Sequence, residues 1–438
     1  MNTKNLAKFS IGMFTLGQLL KAGTNTDNEP LFENHTYNSP FRLPTLSHPV
    51  FGNIFITSKE NKNNRNVAEK TAERICEVVN RMENVDLIPV YAKEGTSTIK
   101  IKLKPMDNVK KSFNLQRQIK YATANEDTRI YPDGDKIVVE IPHKGTTVRI
   151  GDFMKDVNYR ISDAKTIVPI GQDVEGNKIY GEIAKMPHML VAGSTGSGKS
   201  VFINGMIASL LMKNTPYDLK LILIDPKMVE FKQYAELDYV KYITDTNKAI
   251  STLSKLCDEM DRRYSVMANA GCREIDTYNR LNPTKRMPRI IMVIDEMADM
   301  MVDKKYGKQV EKNIVRIAQK ARASGIHMIL ATQRPSREVV TGLIKANIPC
   351  RVCLSVMSRT DSMVVLDQIG AEKLQGHGDL LYLNGMNNKA PQRLQAGMIT
   401  TEEINQLVIP LALDNQPNYA DKFNWETKSK DIREYYGR

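Results

Sequence analysis

The segment GSTGSGKS, Gly193 to Ser200, has the spacing G-x-x-x-x-G-K-[ST]. Such glycines let the backbone N–H groups of Ser194, Thr195, Gly196, Ser197 and Gly198 turn inward around a phosphate chain. Lys199 would neutralise the outer phosphates, the Ser200 hydroxyl would bind magnesium, and a following helix would offer its positive N-terminal end. Farther on, RIIMVIDE (289–296) closes an apolar run with two carboxylates, Asp295 and Glu296. Charge at the end of a buried strand is costly without a partner, and here the partner would be a metal. Asp295 would hold it directly or through water, and Glu296 would polarise the attacking water. Together the two segments indicate hydrolysis of a nucleoside triphosphate, with ATP and Mg2+ as cofactors.

Two further residues stand beside apolar runs. Gln333 follows HMILAT (327–332); it either senses the γ-phosphate or caps a helix or turn. Arg322, in QKARASGIH, precedes the same run. A lone arginine there is a surface residue unless a neighbouring subunit needs a charge pointed at its nucleotide.

These residues need strands to carry them. HMLVAG (188–193), KLILIDP (220–226), RIIMVIDE, HMILATQ (327–333), RVCLSV (351–356) and GDLLYL (378–383) are apolar at nearly every position, with helical stretches between most of them. Strands of that kind belong to a parallel sheet covered on both faces. Upstream, RNVAEKTAERICEVVNRM places Val67, Ile75, Val78, Val79 and Met82 near helical spacing. STIKIKLKP alternates as a half-buried strand does, and YPDGDKIVVEIPHK repeats the pattern after a Pro-Asp-Gly turn. The expected organisation is an irregular arm and linker (1–65), a small α/β domain (66–160), a large α/β domain (161–405) and a helix end with a polar tail (406–438).

The formal charge is +12, and between Lys304 and Arg359 twelve Lys and Arg face only Glu311 and Glu338. A basic surplus gathered beside a nucleotide site points to a polyanion such as DNA more than to a solvated face. The five cysteines form no metal framework; Cys350 and Cys353 have C-x-x-C spacing but lie in a strand-like run, so buried reduced thiols and a cytoplasmic location are expected. At the N-terminus, lysines precede a weakly apolar run too short to span a bilayer. No other segment approaches eighteen uninterrupted apolar residues, so an integral membrane protein is not expected.

Several long segments, in order, make residues 66 to 405 resemble the FtsK/SpoIIIE family of DNA translocases: LILIDPKMVEF (221–231), DEMDRRYSVMANAGCREIDTYN (258–279), RIAQKARASGIHMILATQRPS (316–336), TGLIKANIP (341–349) and GHGDLLYL (376–383). The resemblance implies a RecA-like P-loop NTPase motor that assembles as a hexameric ring around double-stranded DNA, with the small domain as a second tier. Lys199, Ser200, Asp295 and Glu296 fall on the family's Walker positions and Gln333 on its sensor. Arg322 falls on the arginine finger, Arg359 on a second position that often carries lysine, and Arg334 and Lys345 on basic positions facing DNA. Met363 departs from the pattern, standing where the family often has an arginine. The family's membrane-spanning and winged-helix regions have no counterpart here, which leaves membrane attachment or DNA loading to a partner protein. The alternative implied by related ring ATPases is conjugative coupling or secretion of a protein cargo; a DNA-binding scaffold with slow hydrolysis is a further rival.

Overall fold

The computed structural model describes residues 31–32, 54–58, 65–95, 98–106, 115–143, 147–385 and 390–414. The expected irregular arm lies outside the described residues except at 31–32 and 54–58, and so does the tail beyond 414.

The first unit begins with helix α1 (Arg65–Glu83) and strands β1 (Leu87–Glu94) and β2 (Thr98–Pro105), followed by helix α2 (Gln116–Thr123) and strands β3 (Arg129–Asp133) and β4 (Lys136–Pro142). The strands form an antiparallel sheet of order β1-β2-β4-β3. In β2 the alternating Ile99, Ile101 and Leu103 are buried while the intervening lysines are half-exposed, as the two-residue period requires. The Pro-Asp-Gly turn forms the β3–β4 hairpin, with Gly134 at φ +61°. Helix α1 packs through Ala68, Ala72, Ile75, Cys76 and Val79, whereas Val67 and Met82 are exposed. The buried stripe therefore keeps Ile75, Val78 and Val79 of the expected positions and replaces Val67 and Met82 by Ala68, Ala72 and Cys76.

The second unit carries strands β5 (Ile167–Gln172), β6 (Lys178–Glu182), β7 (His188–Ala192), β8 (Leu219–Ile224), β9 (Val240–Ile243), β10 (Arg289–Ile294), β11 (Ile326–Thr332), β12 (Cys350–Leu354), β13 (Asp379–Asn384) and β14 (Gln392–Gln395). Their order is β6-β5-β14-β13-β12-β7-β11-β10-β8-β9. The six strands from β12 to β9 are parallel. GDLLYL does not extend that parallel run: its strand β13 pairs antiparallel with β12, and β14, β5 and β6 continue antiparallel. The sheet is thus mixed and mostly parallel.

Both faces of the sheet are buried. One packs on helices α3 (Lys199–Lys213) and α8 (Thr401–Asp414), the other on α4 (Thr246–Asn269) and α5 (Gly307–Lys320). Alternate residues serve alternate layers: Met189 and Val191 join the first core, Leu190 and Ala192 the second. This double burial is why the strands read as unbroken apolar runs. Val148, Ile150, Phe153, Met154 and Tyr159 also lie in the first core, beside α3. Cys350 and Cys353 enter opposite cores, so they cannot share a metal, and burial pushes the Cys350 thiol up to about 12. All five cysteines are buried and unpaired.

At the opening edge of the central strands, two histidines are buried as neutral rings. His188 Nδ1 accepts from the Met328 N–H at 3.1 Å, and His327 Nδ1 donates to the Pro187 carbonyl at 3.0 Å. Burial pushes the His188 pKa down to about 3 and holds His327 well below its ordinary value. The folded state therefore refuses protons that the unfolded chain accepts below about pH 6.5, so this contribution is complete above that pH and is lost as pH falls. From pH 6 to pH 5 the two rings together should remove roughly 2 kcal/mol of stability. Urea unfolding at these pH values should show that loss in the wild type and a shallower one in the His188→Gln/His327→Gln chain; equal losses would contradict it.

Candidate nucleotide site

The phosphate-loop residues connect β7 to α3 at the carboxyl edge of the parallel strands. The loop has to be glycine-rich here. A Cβ on Gly193 would lie 2.6 Å from Ser197 Oγ, and Gly198, at φ +96°, would place one 2.6 Å from the Gly378 nitrogen. The loop is fastened at several points: Ser197 N donates to Ser194 O (3.1 Å), Gly193 N to Thr332 O (3.2 Å), and Ser194 donates through N and Oγ to Ser355 O (2.8 and 2.9 Å). Thr195 and Gly196 are exposed at its tip, and Ser200 is half-buried in the first turn of α3.

Lys199, at 3% exposure, donates to Asp295 Oδ1 at 2.6 Å and to Asp295 O at 2.7 Å; Asp295 is 1% exposed. The ammonium is thus already aimed at the carboxyl end of β10. Glu296 is fully engaged: Oε1 accepts from Thr332 Oγ1 (2.6 Å) and Ala298 N (3.2 Å), and Oε2 from Gln333 N (2.9 Å). Gln333 in turn accepts from Thr195 Oγ1 at 2.9 Å, tying the end of β11 to the loop tip. Asp299 sits close by; burial and the Glu296 charge hold its carboxyl above the usual range, opposed by Lys227 and Arg334.

The structure therefore brings Gly193 to Ser200, Asp295, Glu296 and Gln333 together. It leaves Arg322 elsewhere. That exposed residue lies in the turn before β11, at the opposite end of a strand of seven residues, roughly 20 Å from the phosphate loop. Arg359 begins helix α7 (Arg359–Leu366) at the loop's own edge, 73% exposed and 3.8 Å from Glu372. Arg334 is exposed directly after Gln333. Lys345, on helix α6 (Gly342–Asn347), is engaged with Asp367 at 2.5 Å, which also takes Arg351 at 2.7 Å. Met363 is exposed on α7. Sequence reasoning did not single out Thr332, Ser355 or Gly378, since a threonine closing a strand reads as ordinary strand propensity.

The oxygen donors suit magnesium. Ser200 and Asp295 would offer hard oxygen ligands, and the described residues contain no group of three His, Cys, Asp or Glu that could cage an ion unaided. Magnesium sites commonly use one or two protein oxygens and complete the shell with water and substrate phosphate.

Residues 149–337 match the FtsK/SpoIIIE family. The chain is 40% identical to the DNA translocase FtsK of Corynebacterium efficiens over 376 residues, 80% of this chain and 39% of that protein. It is 40% identical to the DNA translocase SftA of Bacillus subtilis over 348 residues (77% and 36%), and 37% identical to the DNA translocase FtsK of Mycobacterium tuberculosis over 422 (92% and 49%). The chain spans less than half the length of these three relatives. Among solved structures, the pCW3 conjugation coupling protein TcpA with ATPγS aligns with TM-score 0.56 and 24% identity, covering 77% of this chain and 99% of that one. The cytoplasmic domain of the Thermomonospora curvata type VII secretion ATPase EccC aligns with TM-score 0.52 and 24% identity, covering 60% and 34%. They share the RecA-like P-loop fold.

Thr332 holds the carboxylate that would activate water, and valine keeps its shape without its hydroxyl. Thr332→Val should lower kcat for ATP hydrolysis about 10- to 100-fold with KM within about threefold, and Thr332→Ser should restore most of the rate. Steady-state phosphate release measures both; an unchanged kcat in the valine chain would remove Thr332 from the site.

Proposed function

We propose that the chain, whose residues 149–337 match the FtsK/SpoIIIE family, is an ATP-driven motor that moves along double-stranded DNA as a ring of identical chains. One observation supports the ring: Arg322 is exposed at the edge of the sheet opposite its own phosphate loop, so any nucleotide it serves would have to be another chain's. A hexamer is the ring order that the family resemblance supports.

In this reading the phosphates of ATP displace Asp295 from Lys199. Ser200 and Asp295 would hold a magnesium ion, which supplies charge neutralisation at the phosphates when bound. Glu296, kept in place by Thr332 and the Gln333 N–H, accepts a proton from the water that attacks the γ-phosphorus, and the bond to the ADP oxygen breaks. Arg322 of the adjacent chain stabilises the charge that develops, and Arg359 extends that support from the loop's own edge. Gln333, bonded to Thr195, registers the loss of the γ-phosphate and passes it to the segment that starts at Arg334.

The DNA contacts would come from that segment and from α6, where Arg334 is exposed and Lys345 must exchange Asp367 for a phosphate. Contacts to phosphate carry no base information, so binding is largely independent of sequence. No helix among the described residues is long and apolar enough to cross a membrane. The proposed location is the cytoplasm, and a partner protein for membrane attachment or DNA loading is part of the same proposal.

Linear duplex DNA should accelerate ATP hydrolysis by the wild type, and the logarithm of DNA affinity should fall with the logarithm of salt at roughly −0.9 per phosphate contacted. In a triplex-displacement assay the wild type should strip the third strand, while Lys199→Ala and Glu296→Gln should not, the latter with kcat down about 10²- to 10⁴-fold. Equal displacement by all three chains would defeat the motor. Stimulation by a protein cargo but not by duplex would instead favour a secretion-type machine.

A further inference from the structure

The segment Gln375–Asp379 lies against the phosphate loop without slack. Gly378 N donates to Ser197 O at 2.8 Å and His377 N to Gly196 O at 3.5 Å. Gly376, His377 and Gly378 all have positive φ, which the two glycines adopt freely but which His377, at φ +51°, holds only with outside support. That support is Asp379, whose Oδ2 accepts from Gln375 N at 3.0 Å and which is clamped by Arg393 through Nε (3.0 Å) and Nη2 (2.6 Å). The bidentate fork fixes Arg393 and Asp379 as one rigid unit.

The third nitrogen of that guanidinium points at the other domain. Arg393 Nη1 is buried with no hydrogen-bond partner, 3.8 Å from Glu140 Oε2 on β4 of the small sheet. Glu140, also buried, is held on its own side by Arg129 Nη1 (3.2 Å) and Tyr131 OH (2.8 Å). At 3.8 Å the ions attract without a hydrogen bond, and an approach of about 1 Å would form one. Room for that movement exists, because a polar cleft lined by Lys100, Tyr131, Glu140, Asp173, Gln392 and Arg393 lies at this junction. Tightly packed groups could not change separation so easily.

We infer that Arg393 is a positioning residue of the nucleotide site, carrying the placement of the small domain, through Glu140, to Asp379 and the glycine loop that braces Gly196 to Gly198. The inference rests on the reading of Gly193–Ser200 as a nucleotide site. Small-domain movement toward Arg393 tightens the brace and favours bound nucleotide; movement away relaxes it.

Glu140→Gln is the informative variant. It is nearly isosteric, keeps a group that can accept from Tyr131, and leaves the Asp379–Arg393 fork intact. Titration of the full chain with a fluorescent ATP analogue, without DNA, should show affinity weakened at least about fivefold. The KM for ATP should rise in step while kcat stays within about twofold. Arg393→Lys, which keeps the charge but cannot span both carboxylates, should weaken binding too, and the double variant should be no worse than the weaker-binding single. Unchanged analogue affinity in Glu140→Gln, with or without a lower melting temperature, overturns the inference, as do fully additive effects of the two substitutions. Because the titrations contain no DNA, a wild type whose hydrolysis ignores duplex sinks the motor reading and leaves these affinities to decide this one.

Discussion

A buried lysine and a buried aspartate hold the nucleotide site in its present form. Neither Lys199 nor Asp295 could be stripped of water alone at the end of an apolar sheet, and each makes the other's burial tolerable. Their meeting is a consequence of strand order. β7 delivers the phosphate loop, β10 delivers the carboxylates, and β11 lies between them, so all three end at one edge. The middle strand then finishes the site: Thr332, its last residue, orients Glu296, and Gln333, the next, reaches Thr195. In the proposed function, incoming phosphate would only have to replace one anion at Lys199 by another.

Much of this was readable in the linear chain, for physical reasons. Gly193 and Gly198 are demanded by backbone that approaches too closely for a Cβ, and such demands leave a local signature. The double-faced burial of the central strands leaves another, the unbroken apolar run. Strand direction leaves none: GDLLYL is as apolar as its neighbours, yet β13 runs antiparallel, because the same composition suits any strand buried on both faces. The middle of α1's contact face was legible in Ile75, Val78 and Val79, but its ends were not, since Ala68 and Ala72 are small and Val67 and Met82 are apolar yet exposed. Thr332 could be found only once β10 and β11 were known to be neighbours.

The same geometry separates what one chain can do from what it cannot. Binding phosphate and orienting water need only the loop and the ends of β10 and β11, all present in a single chain. Arg322 occupies the far edge of the sheet, so in the proposed ring its charge would serve another chain's nucleotide. A site divided in that way would make association a requirement for turnover and would let hydrolysis in one chain be felt by the next. The fork between Asp379 and Arg393 would, on the inference above, add a second direction of communication, from the small sheet inward to the phosphate loop.

The division of the site between chains is tested most directly by mixing two inactive proteins, Lys199→Ala and Arg322→Ala, in equal amounts with ATP and duplex DNA and following phosphate release. Random assembly gives about a quarter of the seams an intact Lys199 facing an intact Arg322, so the mixture should recover up to about a quarter of the wild-type rate. A mixture as inactive as its components, despite exchange of chains between assemblies, would contradict a site shared across the seam, as would an Arg322→Ala chain that hydrolyses ATP at the wild-type rate by itself.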